Sequence, residues 1–376
     1  MKLGLQSTIV VSSPNAAKLF LKTHDPIFAN RPISQTSNQL SYNHKNIAYA
    51  QFGPYWQTMR KICSFQLLTS SKINSFTSIR MQELGFFIDR LQEAAKNHVI
   101  VDLSYQVSSL IADVICIMLF GKKFTDKEFM VAIHEGTFLA GASNLGDFIP
   151  FIAFLDLQGL GRRAKAVIKI FDELLDVIIE ERLEYKKQNR TEKGEFFVDV
   201  MLDVIRSREK EHQIDRSSIK AVILDLIIGG VDSSSAAINW TLSELIKHPQ
   251  VMKKIRKELQ EVVDIIINDW AIGQDPCYWI EPQKFNPDRF IDSPIDIVRN
   301  NNNFEMIPFG FGRRVCPGMQ LGLVLIRLIV AQLVHCFDWE LPNGVLPSEL
   351  DMSEEFGLTC PRAQNLRVVP IYRVCI

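Results

Sequence analysis

The sequence predicts a mainly α protein with small β-sheets, an α+β fold in a single domain spanning residues 1–376. Three observations carry that reading. Six long segments place apolar residues at i, i+3, i+4 and i+7, the spacing of an amphipathic helix: 73–95, 105–120, 164–188, 195–209, 217–262 and 318–336. Strand-like pieces are few and short. No internal repeat and no Pro/Gly/Ser-rich linker divides the chain.

Taken in order, STIVVSS (7–13) reads as a strand, and PNAAKLFLKTH (14–24) as a helix with Pro14 in its first turn. HVIVDL (98–103), DIIIND (264–269) and LRVVPIYRV (366–374) complete the strands, and RNNNNFE (299–305) reads as an exposed loop. The segment 217–262 passes through GGVDSSS (229–235) and continues beyond Pro249 as a charged helix. Glycine costs about 1 kcal/mol relative to alanine inside a helix, and serine hydroxyls compete for its carbonyls. Two readings stay open there: a locally weak core helix, or a kink that holds Asp232 beside hydroxyls over a ligand.

With 47% hydrophobic and 10% aromatic residues the chain has material for a large core. Its 42 Lys and Arg balance 43 Asp and Glu to a net charge of −1, which excludes the basic field that holds nucleic acid. Seven cysteines, scattered and without a CxxC, argue against a disulfide framework and against a zinc site. The N-terminal stretch has neither a signal-peptide pattern nor the ~20 apolar residues of a membrane span. The longest apolar runs are broken at Asp225 and Arg327, so no crossing is expected.

One cysteine differs from the other six in its surroundings. PFGFGRRVCPG (308–318) sets Cys316 among Gly310, Gly312 and Gly318, with Arg313 and Arg314 just before it and an apolar helix just after. Glycines let the backbone turn tightly and approach a flat ligand. The helix start and its N–H groups are expected to lower the thiol pKa, and the two guanidiniums suit carboxylates. A phosphate loop lacks its third glycine and its lysine, and a catalytic thiol would need a histidine closer than His335.

These residues resemble the haem loop of the cytochrome P-450 monooxygenases, FxxGxRxCxG, matched at Phe309, Gly312, Arg314, Cys316 and Gly318. GPYWQTMRKIC (53–63) resembles the WxxxR helix, GGVDSSS the oxygen-binding helix with serine in place of its usual threonine, and FNPDRF (285–290) the segment ahead of the haem loop. Both ends of the chain look like plant microsomal members. The resemblance implies haem b with Cys316 as axial thiolate, and Phe309 beside the sulfur. It gives Arg314, Trp56 and Arg60 as propionate partners, with Gly229, Gly230, Asp232 and Ser233 at the oxygen side. Asp232 and Ser233 would then relay protons.

The pattern also departs from the family. No arginine has a glutamate three residues before it, so the ExxR that partners Arg289 is absent, and only 84 positions separate Asp232 from Cys316. The sequence places a missing internal segment at a junction near 263–264, and reads the chain as starting inside the first sheet without the membrane anchor. The implied activity is insertion of one atom of O2 into a lipophilic small molecule. Electrons would come from an NADPH-cytochrome reductase docking near KKIRK (253–257), Lys61 and Arg60. The alternative is a non-catalytic truncated or spliced member that binds haem poorly or not at all. Family members act at the cytosolic face of the endoplasmic reticulum membrane; without an anchor, peripheral membrane contact or the cytosol is expected.

Overall fold

The computed structural model describes residues 2–3, 6–7, 11, 17–124, 127–188, 196–208, 214–249, 251–252, 279, 281, 285–290 and 306–373. Pro14, KKIRK, the junction near 263–264, DIIIND and RNNNNFE lie outside the described residues, as does the side chain of Arg289.

The chain opens with a short antiparallel pair, β1 (Lys2–Leu3) and β2 (Gln6–Ser7), and a π-helical turn at Leu19–Thr23. Helices follow: α1 (Asp25–Phe28), α2 (Gln35–Leu40), α3 (Pro54–Ile62), α4 (Ser70–Ser75) and α5 (Thr77–Lys96). After β3 (Val101–Asp102) come α6 (Leu103–Phe120), α7 (Lys127–Gly141), α8 (Leu145–Phe148), α9 (Leu160–Gln188), α10 (Phe197–Arg208) and α11 (Arg216–Lys247). Then α12 (Met319–Cys336), β4 (Phe337–Glu340) and β5 (Arg367–Tyr372) close the described chain.

Helix α6 is the centre of the core. Asp102 caps it by accepting the Tyr105 N–H at 3.0 Å, and Gly121 ends it in the left-handed region at φ 81°. Most of its residues are buried, which is why an apolar pattern on nearly every face was needed to build it. Helix α11 packs along α6 and also meets α7 and α12. A reciprocal cap between Asp215 and Ser218 starts it, and it runs to Lys247 without interruption through the glycine–serine segment. Ser233, Ser235, Thr241 and Ser243 each donate to the carbonyl four residues earlier, so the hydroxyls bond the helix rather than break it.

By length and mean hydropathy, α6, α11 and α12 are each apolar enough to cross a membrane, the charges of Asp225 and Arg327 notwithstanding. In α6 and α11 most of the qualifying window, 72% and 61%, is buried inside the protein, so that apolarity builds the core. The second sheet has the order β3–β5–β4, all antiparallel, with Asp102 opposite Arg367 and Phe337 opposite Tyr372. Strand β4, four residues directly after α12, was not expected: so short a run carries too little alternation to be told from a helix end.

Candidate functional site

The cysteine loop is closed by its own backbone. The Cys316 N–H donates to the Phe309 carbonyl at 2.9 Å, and the Gly310 N–H to Ile307 at 2.8 Å. Gly310 and Gly312 both adopt positive φ, 71° and 70°. At Gly312 a Cβ would stand 2.4 Å from the Leu21 carbonyl oxygen and 3.0 Å from Asp25 Oδ1, so the loop seats against the start of the chain only through glycine. The N–H groups of Gly318 and Met319, at the start of α12, hydrogen-bond the Cys316 sulfur. The expected lowering of its pKa does not win: burial pushes the thiol above its ordinary value, outweighing those N–H groups and the Arg60 charge. A metal cation would reverse this, since a coordinating thiol is deprotonated outright.

The arginines are more occupied than the sequence implied. Arg314 donates to three carbonyls, Ala29 (2.9 Å), Ile47 (3.0 Å) and Ala50 (2.6 Å), and lies 4.3 Å over the Trp56 ring. Arg313 pairs with Asp25 at 2.9 Å and lies over Phe52. Arg60 donates through Nη2 to the Val315 carbonyl. Trp56, expected to meet a propionate, is buried and gives its single N–H to Ile47 at 3.0 Å; its place is under Arg314 instead. Burial first, then the like charges of Arg31 and Arg60, depress Arg314 to about 10. Guanidiniums crowded in this way, beside a sulfur fed by two N–H groups, fit a ligand that brings both a metal and carboxylates.

Helix α11 supplies the other side. Gly229 is exposed and a Cβ there would meet nothing within 4 Å, whereas at Gly230 it would stand 2.7 Å from Ile115 Cδ1. One glycine thus bares the backbone and the other lets α11 close on α6. The Ser233 hydroxyl, exposed, donates to the Gly229 carbonyl at 2.5 Å. Asp232 is buried and turns to α7, where its Oδ1 meets His134 Nδ1 at 2.8 Å. The two residues read as one relay therefore have different partners. The loop and the two helices converge at Gly322 of α12, where a Cβ would be 3.9 Å from Ser234 Oγ and 4.0 Å from Phe309 Cε1.

Three participants escaped the sequence. Asp225 accepts hydrogen bonds from Asn46, Ile47 and Ala48; the segment 46–50 gives its carbonyls to Arg314 and Trp56; His134 meets Asp232. Only Asp225 left a signal, as a lone acid in an apolar run seven residues before Asp232. Among the described residues there is no cluster of three metal-ligating side chains and no disulfide. A surface depression of about 580 Å³, lined by Asp176, Glu180, Glu181, Glu184 and Arg216, includes none of the site residues.

The family profile "Cytochrome P450" matches residues 1–265 and 263–366. A cytochrome P-450 of Panax ginseng, CYP736A12, is 40% identical over 435 positions, covering 100% of this chain and 86% of its own length. Those 435 positions exceed the chain's 376 residues by 59, and the two profile matches meet at 263–265. Desmethyl-deoxy-podophyllotoxin synthase of Sinopodophyllum hexandrum is 33% identical over 98% of this chain and 84% of its own. Flavonoid 3',5'-hydroxylase of Campanula medium is 31% identical over 98% and 84%. Among solved structures, a zebra fish cytochrome P-450 with progesterone superposes with a TM-score of 0.77 at 22% identity, over 98% of this chain and 95% of that one.

Proposed function

Because the chain belongs to the cytochrome P-450 family, with plant members among its relatives, we propose that Cys316 is the thiolate that holds haem iron for a monooxygenase of lipophilic plant metabolites. The enzyme is an oxidoreductase of the haem-thiolate class, with haem b as its cofactor. Bound there, the haem supplies the activation of O2, one atom of which enters the substrate.

The observation that carries this reading is the Cys316 sulfur itself, receiving the Gly318 and Met319 N–H groups in a loop closed on Phe309. Those donors hold a thiolate's charge and keep it from being too strong a base. Arg60 and Arg314 supply the positive charge for the haem carboxylates. Gly229 leaves α11 bare on its exposed face, and the Ser233 hydroxyl there holds a proton at Oγ within reach of a ligand on that face. Asp232 stands beside it in sequence, with its carboxyl buried at the same level of the helix.

Two relatives carry names from podophyllotoxin and flavonoid chemistry, which supports a lipophilic secondary metabolite as substrate. Electrons are proposed to come from an NADPH-cytochrome reductase docked on the cysteine side, where Lys61 is exposed next to Arg60. Peripheral contact with the cytosolic face of the endoplasmic reticulum membrane is proposed through Phe151, Phe154 and Leu157, which are exposed ahead of the basic Arg162 and Arg163. The comparisons lend no support to a non-catalytic reading.

The test is spectroscopic. Purified protein should hold one haem per chain and, reduced under carbon monoxide, show the red-shifted Soret band of thiolate ligation, lost in Cys316→Ser. A folded chain without haem, or the same band in the serine variant, overturns the assignment.

A further inference from the structure

The peptide unit between Ile47 and Ala48 lies between two charges. Its carbonyl, on Ile47, accepts Arg314 Nη1 at 3.0 Å and Trp56 Nε1 at 3.0 Å. Its N–H, on Ala48, donates to Asp225 Oδ2 at 3.0 Å. The Ile47 N–H reaches the same oxygen at 2.7 Å, and Asn46 Nδ2 reaches Oδ1 at 2.6 Å. Asn46 cannot turn its amide round, because its own oxygen accepts the Tyr49 N–H at 3.0 Å. The Asp225 carboxyl therefore faces donors only.

We propose that Asp225 is a positioning residue for the cysteine loop: its carboxyl and the Arg314 guanidinium hold opposite ends of the 47–48 peptide, which fixes the loop that carries Cys316 to helix α11. The peptide dipole points its positive N–H end at the carboxylate and its negative oxygen at the guanidinium, so each hydrogen bond polarises the other. Burial raises the Asp225 carboxyl to about 6 against the pull of those donors. Asp225 also precedes Gly229 by four residues and Ser233 by eight, on one stripe of α11. The stripe that presents bare backbone and a hydroxyl thus anchors the opposite wall of the site as well. The inference rests on the reading of Cys316 as haem ligand.

Asp225→Asn keeps the side chain's size and turns one acceptor into an NH2 group facing donors. Haem release from the purified holoprotein to excess apomyoglobin should become roughly tenfold faster, and likewise in Arg314→Gln. The double variant should release no faster than the worse single one, because both remove one linkage. Asp199→Asn, which breaks the buried Arg182 pair between α9 and α10, should release haem at the unmodified rate even where melting falls. In the haem-free full chain, each single variant should raise amide exchange in both 46–50 and 309–316. Wild-type release rates in Asp225→Asn, additive effects in the double variant, or exchange confined to 46–50 would overturn the proposal. A chain that takes up no haem at all overturns the ligand assignment, and the exchange experiment still decides the linkage.

Discussion

Asp232 Oδ1 and His134 Nδ1 meet at 2.8 Å across α11 and α7, joining a buried carboxylate to a half-exposed imidazole. The hydrogen bond that His134 donates to Asp232 raises the imidazole pKa above its ordinary 6.5, with burial opposing and Glu355 adding to the rise. A raised folded-state value stabilises fully below pH 6.5 and is lost as pH climbs through the raised value. Melting temperature measured from pH 6 to 9 should therefore fall more in the native protein than in Asp232→Asn. Half-exposure holds the difference to below about 1 kcal/mol. Identical pH profiles would show that the pair does not persist in solution.

Asp225 titrates lower, near 6, again above its unfolded value of about 3.9. Ionising this buried group costs stability, so stability declines as pH rises from about 4 through 6. Urea unfolding across pH 4–7 should show this slope in the native chain and lose it in Asp225→Asn.

Gly310 and Gly312 share a positive φ, but only Gly312 is crowded. Alanine at Gly310 should cost the left-handed conformation alone, about 1–2 kcal/mol. Alanine at Gly312 adds a clash with the Leu21 carbonyl and should cost about 1–3 kcal/mol more, with loss of haem. Equal melting temperatures for the two variants would contradict this.

Phe151 and Phe154 are 80% and 82% exposed. Burying one phenylalanine at a membrane surface yields about 1.5–3 kcal/mol, so Phe154→Asp should weaken co-sedimentation with anionic vesicles by tenfold or more. Unchanged sedimentation would remove this segment from the membrane contact.

The helices and the cysteine loop were legible because they rest on local pattern: apolar periodicity bounded α6 and α12 to within a few residues and found the start of α11, though not its end at Lys247, and five fixed positions marked the loop. The seat of Arg314 was not legible. Its partners are the carbonyls of Ala29, Ile47 and Ala50, groups that every residue carries and no side chain announces. The sulfur's pKa was misjudged for a related reason, since N–H groups can be counted from a helix start but burial depends on distant chain. Trp56 was assigned by motif to a ligand, while its N–H was claimed by a loop nine residues away.

Strand β5 lies between β3 and β4, and so ties the last described stretch of chain both to the entry of α6 and to the exit of α12. Helix α12 is thereby clamped at its far end, with Cys316 three residues before its first turn. A small pivot at the Phe337–Tyr372 pairing would displace the Cys316 end of that helix by more, so the sheet bears on how still the sulfur is held.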